Sequence, residues 1–175
     1  TAKTVFASII SRYQDPDGDL GISDEGWEIA AKFLGNAHNI ADGEDAVGSV
    51  IDGTYPMDEH WASGVLTEQK DRDYKFQIMT PDIGEPYVVE SLAISAGTKK
   101  YDTCVAFLNW LGSSDVQLDW SNNYGTIPCQ KEALDQVSDD IKELMETLKP
   151  QDLDWSFIAE NVDAWVEKAE LEYVQ

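Results

Sequence analysis

Residues 87 to 129, YVVESLAISAGTKKYDTCVAFLNWLGSSDVQLDWSNNYGTIPC, set the tightest limits on how this chain can fold. Tyr87 to Ser95 is rich in β-branched and apolar residues and reads as a strand. Gly97 breaks it. Cys104, Phe107, Leu108 and Leu111 then recur at i, i+3, i+4, i+7, the stripe of an amphipathic helix that Gly112 ends. Ser114 followed three residues later by Gln117 is a capping-box pattern for a second helix. After Trp120 comes a polar loop and a short apolar piece, Tyr124 to Cys129. A strand, two helices and a return within some forty residues point to an α/β unit.

The rest of the chain fits that class. Residues 3 to 13 predict a helix with Val5, Phe6, Ile9, Ile10 and Tyr13 on one face. Ser23 caps another, with Asp24 and Glu25 in its first turn and Trp27, Ala30, Ala31 and Leu34 as the buried side; Gly35 stops it. Residues 46 to 52 and 74 to 80 read as strands. Residues 131 to 148 predict one helix through Leu134, Val137, Ile141, Leu144 and Leu148, closed by Pro150. Residues 155 to 173 predict the last, with Ile158, Val162, Trp165, Ala169 and Tyr173 along one side.

Charge and motif content exclude several classes. With 34 acids against 12 lysines and arginines, the net charge is −22. Such a surface repels nucleic acid and anionic membranes, so neither is expected as a partner. No run of about 18 apolar residues is present, so no insertion into a membrane is expected. The sequence holds no G-x-S-x-G, P-loop, G-x-G-x-x-G, C-x-x-C or H-E-x-x-H pattern. His38 and His60 stand outside any nucleophile or metal-ligand motif, so no catalytic residue, cofactor or metal centre is assigned. Cys104 and Cys129 read as small buried apolar residues, a disulfide between them staying open.

Two acidic clusters invite a ligand. Asp15, Asp17 and Asp19 alternate as in a calcium loop, but Leu20 and Gly26 stand where an EF-hand needs Gly and Glu. A solvated turn is the competing reading. Asp58, Glu59, His60 and Trp61 combine acid, imidazole and indole: the carboxylates and imidazole can hold a cation, and the indole can cover one. Alternatively, Asp58 and Glu59 start a helix and Trp61 enters the core.

A family resemblance adds to this. Gly84-Glu85-Pro86-Tyr87-Val88-Val89-Glu90-Ser91-Leu92-Ala93-Ile94, Gly97-Thr98-Lys99-Lys100, Ala106-Phe107-Leu108-Asn109-Trp110-Leu111 and Tyr124-Gly125-Thr126-Ile127-Pro128 occur in that order. Leu153-Asp154-Trp155-Ser156-Phe157-Ile158 and Asp163-Ala164-Trp165 follow. The series resembles the type 2 periplasmic solute-binding proteins of ABC importers, in particular the iron(III), thiamine and phosphonate branch. The resemblance implies a partial type 2 periplasmic-binding-protein fold. Residues 1–86 would be second-lobe α/β structure. Residues 87–130 would be a hinge-crossing strand and helices of the first lobe, and 131–175 would be helices returning to the second. Most of the first lobe would be absent, leaving Phe107, Leu108, Trp110 and Leu111 to a rearranged segment or to one exchanged between two copies in a swapped homodimer.

The same resemblance implies a substrate-binding component outside the cytoplasm, in the periplasm or as a cell-surface lipoprotein, serving a membrane permease. It captures a small charged solute between two lobes. It implies that Thr1 is the remnant of an anion-binding turn at a helix N-terminus. The element carrying Asp58 to Trp61 would face the ligand, with Tyr87 and Glu90 near the hinge and Tyr124 near the return crossing. The ligand would be iron or an iron chelate, a phosphate ester or a phosphonate, although ferric sites use paired tyrosines that this chain lacks. A cation such as thiamine or a polyamine is the alternative, favoured by the acidic chain. A free-standing acidic interaction module, calcium-loaded through Asp15, Asp17 and Asp19, is the other.

Overall fold

The computed structural model describes residues 2–174, and the chain folds into two compact units. Residues 1–59 and 151–175 make unit 1; residues 60–150 make unit 2, inserted within it in sequence. Within unit 2, residues 60–86 pack with 87–150.

Unit 1 opens with α1 (Ala2–Ile10), which runs into a 3-10 turn, Ser11–Tyr13, as the apolar periodicity predicts. β1 (Gln14–Asp19) then folds back on itself. Asp15 N donates to Gly21 O at 2.9 Å and Ser23 N to Tyr13 O at 2.9 Å, which closes the hairpin. Gly18 is required there, since a Cβ would lie 2.1 Å from Ile22 O. α2 (Asp24–Gly35) starts where expected: the Ser23 hydroxyl accepts from Gly26 N. α3 (Ala46–Ile51) occupies a segment expected to be strand. Asp45 Oδ1 accepts Gly48 N at 2.9 Å, and this cap starts a helical turn that the β-branched content had hidden.

α9 (Trp155–Glu172) completes the unit. Asp154 Oδ1 caps it by accepting from Ser156 N and Phe157 N. Phe6, Ala7, Ile10, Ile22, Trp27, Ala30, Ile158, Trp165 and Ala169 form one core. Trp165 is fully buried, meets the Phe157 ring at a tilt of 59° with centroids 5.3 Å apart, and donates its indole N–H to Leu20 O at 2.9 Å. The indole thus loses no hydrogen bond on burial.

Unit 2 contains α4 (Ala62–Arg72), α5 (Tyr101–Leu111), α6 (Ser114–Tyr124), α7 (Lys131–Leu134) and α8 (Asp139–Thr147). The two strands expected here, 74–80 and 87–95, are irregular. Backbone N–H groups need a partner, and a strand needs a neighbour to ladder with. Tyr74 N and Phe76 N instead donate to the backbone and side-chain carbonyls of Gln69. Val89 and Leu92 stay 76% and 60% exposed.

The helix expected over 131–148 breaks into α7 and α8. The run Ser138-Asp139-Asp140 restarts it, with two acids in the new first turn. Ala133, Val137, Ile141 and Leu144 are buried there. No capping box forms at α6. Ser113 occupies the N-cap without a side-chain cap bond, and Gln117 donates to Leu111 O and accepts from Cys129 N. Ser121, fully buried, donates to Thr126 O, and Gly125 supplies the positive φ of 69° that ends the helix. Both cysteines are free; Cys104 is half-buried, and Cys129 is exposed where a buried residue was expected. The whole is a helix-rich α/β chain with little strand.

Candidate functional site

The residues singled out from sequence do not fall in one unit. Thr1 lies outside the described residues. Asp58 and Glu59 close the first segment of unit 1, whereas His60, Trp61, Tyr87, Glu90 and Tyr124 belong to unit 2. Glu59 reaches solvent, yet crowding around its carboxyl, with Asp58's charge adding, raises it above the ordinary carboxylate range.

His60 lies against the first turn of α4. A Cβ on Gly64 would stand 2.5 Å from its Nε2, so the missing side chain makes room for the ring. Trp61 is the N-cap of α4 and is 46% exposed. It is therefore not a core residue, and the helix begins at Ala62 rather than at Asp58 or Glu59. Tyr87 is half-buried, and burial followed by the nearby Glu85 raises its phenol. Glu85 Oε2 accepts Lys149 N at 2.9 Å, pinning the chain just before Tyr87. Glu90 is exposed. Tyr124, also exposed, meets Trp120 edge-on at 6.1 Å.

The calcium arrangement is not formed. Asp15 Oδ1 accepts Asp17 N, and Asp19 Oδ2 pairs with Lys168 at 3.2 Å. Among the described residues, no group of three or more His, Cys, Asp or Glu gathers for a metal ion.

Two polar constellations in unit 1 were not expected. In the first, His38 Nε2 lies 3.0 and 3.1 Å from the two Glu44 oxygens. Tyr55 donates to Glu44 at 3.1 Å and stacks on the His38 ring at 5.0 Å. Ala41 N also donates to Glu44; that bond foremost, then His38, holds the Glu44 carboxyl below its usual range. In the second, the Lys168 ammonium sits 5.0 Å above the Trp27 ring and 5.9 Å from that of Tyr173. It also bonds Glu172 at 2.7 Å. That bond raises Lys168 above its ordinary range, against the opposing effect of burial. Lys168 and Asp19 are some 150 positions apart in sequence, so no local spacing signals this pair. His38 and Glu44 were legible only as isolated polar residues in a loop.

A family model described as bacterial extracellular solute-binding protein matches residues 4–149. The chain belongs to that family. It is also 33% identical, over all 175 residues, to the probable ABC transporter periplasmic-binding protein y4fP of Sinorhizobium fredii (strain NBRC 101917 / NGR234). The match takes in 48% of that relative, so the chain spans about half the length of the curated protein it resembles. No solved structure matches the chain. No helix of the described residues is long and apolar enough to cross a membrane.

Proposed function

We propose that this chain forms part of the substrate-binding component of an ABC import system. It would capture a small charged solute outside the cytoplasm, in the periplasm or as a cell-surface lipoprotein, and deliver it to a membrane permease without chemical change. Membership of the extracellular solute-binding family over residues 4–149 carries the reading. The ordered motifs of residues 84–128 favour the iron(III), thiamine and phosphonate branch, with the second lobe in 1–86 and 131–175 and first-lobe structure in 87–130. In this reading the ligand is a phosphate ester, a phosphonate or chelated iron, held by Thr1, His60, Trp61, Tyr87, Glu90 and Tyr124 when two lobes close. Asp58 and Glu59 would set its charge selectivity.

A cationic ligand is the second reading, favoured by the acids at 58 and 59 and by the exposed Trp61 beside them. The exposed rings of Phe107 and Trp110 fit a face covered either by more of a longer protein or by a second, swapped copy. Calorimetric titration of the full-length protein with phosphate esters, phosphonates, ferric chelates and thiamine tests the role; silence across the panel removes this ligand class. Asp58→Asn/Glu59→Gln then separates the two readings. A cation site loses about tenfold or more in affinity, whereas an anion site keeps or gains it. Sedimentation of the 175-residue chain tests the second copy: a monomer at tens of micromolar rules out the swap.

A further inference from the structure

We propose that residues 36–55 form a pH-responsive clasp, in which protonation of His38 tightens the hold of Glu44 and Tyr55 on the loop ahead of α3. Polar contacts order this segment, and the core does not. None of its residues is buried, and none belongs to the apolar cluster around Trp165 and Trp27. A segment with so little buried apolar surface opens locally at small free-energy cost, so a change of one charge can move it.

The clasp joins the two sides of α3. Before the helix, Glu44 N donates to Ala41 O at 3.0 Å and Ala41 N donates to Glu44 Oε2 at 3.0 Å, which closes the turn. After the helix, Tyr55 N donates to Ser49 O at 3.0 Å, and the Tyr55 hydroxyl donates back to Glu44 Oε1 at 3.1 Å. His38 Nε2 lies 3.0 and 3.1 Å from the two oxygens of the same carboxylate, with its ring stacked on that of Tyr55 at 5.0 Å and 25°. A carboxylate only accepts, so Nε2 carries the proton of the neutral imidazole and Nδ1 is the atom that takes up a second. Nδ1 has no hydrogen-bond partner among the described residues, and half of the side chain is exposed, so the new proton meets water and displaces no bond.

Protonation strengthens both contacts of the ring. The bond to Glu44 becomes charge-assisted, and the imidazolium lies against the π face of the phenol. The groups around the ring do not change charge in the same range. Glu44 stays ionised, since Ala41's bond foremost holds its carboxyl below the usual value. Tyr55 keeps its hydroxyl proton, since partial burial and then the bond to Glu44 raise it. Asp45 and Asp52, at the ends of α3, accept from Gly48 N and Thr54 N, and Asp42 in the same turn is exposed. Imidazole is the side chain that ordinarily changes charge between about pH 5 and 8, and the chain has two. Because the second proton adds to the bonds of the closed loop, the clasp is tightest below the ordinary imidazole range and slackens as pH rises through it. It lies apart from the residues of the proposed importer site and does not rest on that role.

Amide exchange of the 175-residue chain at about pH 5.5 and 7.5, expressed as protection so that intrinsic rates cancel, is the test. Protection of Ala41, Glu44 and Tyr55, whose N–H groups are bonded within the segment, should be about two- to fivefold greater at the lower pH, the range of an exposed ion pair. That of Trp165 should not respond. His38→Gln keeps a neutral donor in place of the imidazole, and Glu44→Gln keeps an acceptor without its charge; both lie outside the core, and each should remove most of the difference. Equal protection at the two pH values, or greater protection at the higher one, would overturn the proposal. So would a difference that survives intact in either variant, since it would then belong to other titrating groups.

Discussion

The two units carry similar amounts of chain but bury it differently. Unit 1 draws its helices around Trp165, Trp27, Ile10 and Ile22 and seats a charged group against aromatic rings at its edge. Unit 2 buries Ala133, Val137, Ile141 and Leu144 near α7 and α8, while α5 and α6 leave Tyr101, Phe107, Trp110, Trp120 and Tyr124 facing solvent. Its expected strands have not formed. Aromatic residues contribute most when they lose their water, so the five exposed rings add little to stability where they stand. Unit 1 uses its apolar residues to fold, and unit 2 leaves many of its own exposed.

The most severe break of this comparison is at the two tryptophans that typify the units. Trp165→Ala removes a fully buried indole and its bond to Leu20, and should cost about 3–5 kcal/mol in urea unfolding. Trp110→Ala, on an exposed ring, should change stability by less than about 0.5 kcal/mol in the isolated chain. Similar losses at both positions would show that the face of α5 is covered in solution, by another copy or by more of the chain, and the contrast would fall.

Helix caps give a smaller effect with the same logic. Asp154 caps α9 through two backbone N–H groups, so Asp154→Ala should cost about 1 kcal/mol. Ser113 occupies the same position at α6, but its hydroxyl donates to Trp110 O and satisfies no N–H of the helix it precedes. Ser113→Ala should therefore cost well below half as much. Urea midpoints of the two variants, taken at one pH, decide the point. A larger loss at Ser113 would mean that the α5–α6 junction is more tightly ordered than its bonds indicate.

The same division marks what could be read from sequence. α1 and α9 were legible from a 3.6-residue stripe alone, and α2 and α5 because such a stripe agreed with local signals, Ser23 and Gly35 for the one and Gly97 and Gly112 for the other. The strands at 74–80 and 87–95 failed because β structure needs a partner that local pattern cannot provide. Val47, Val50 and Ile51 suggested strand, yet one carboxylate, Asp45, was enough to start α3. Of the candidate site residues, Asp58 to Trp61 could be picked out as a cluster by adjacency alone. The Lys168 constellation could not, since it joins the hairpin to the last helix across most of the sequence. The family could be read from ordered motifs that are each weak, whereas the ligand depends on side-chain geometry that such motifs do not encode.

The mildest test lies in the loop before α3. Glu44 gathers Ala41 N, His38 and the Tyr55 hydroxyl, and its carboxyl is held below the usual value, Ala41's bond being the largest cause. A folded-state pKa below the unfolded one means that ionised Glu44 favours the folded loop. That contribution is present above the ordinary carboxylate value of 4.5 and fades as pH falls through the lowered value. Since the group is in solvent contact, the effect should be local. Amide exchange of residues 38–45 should accelerate on acidification below about pH 4.5, beyond the intrinsic change in rate, while that of Trp165 does not. Glu44→Gln keeps the shape but not the charge, so it should raise loop exchange at neutral pH and remove the acid step. If the acid step survives in Glu44→Gln, the loop is held by other carboxylates in this acidic unit, with Asp45 and Asp52, which cap and close α3, the first to replace.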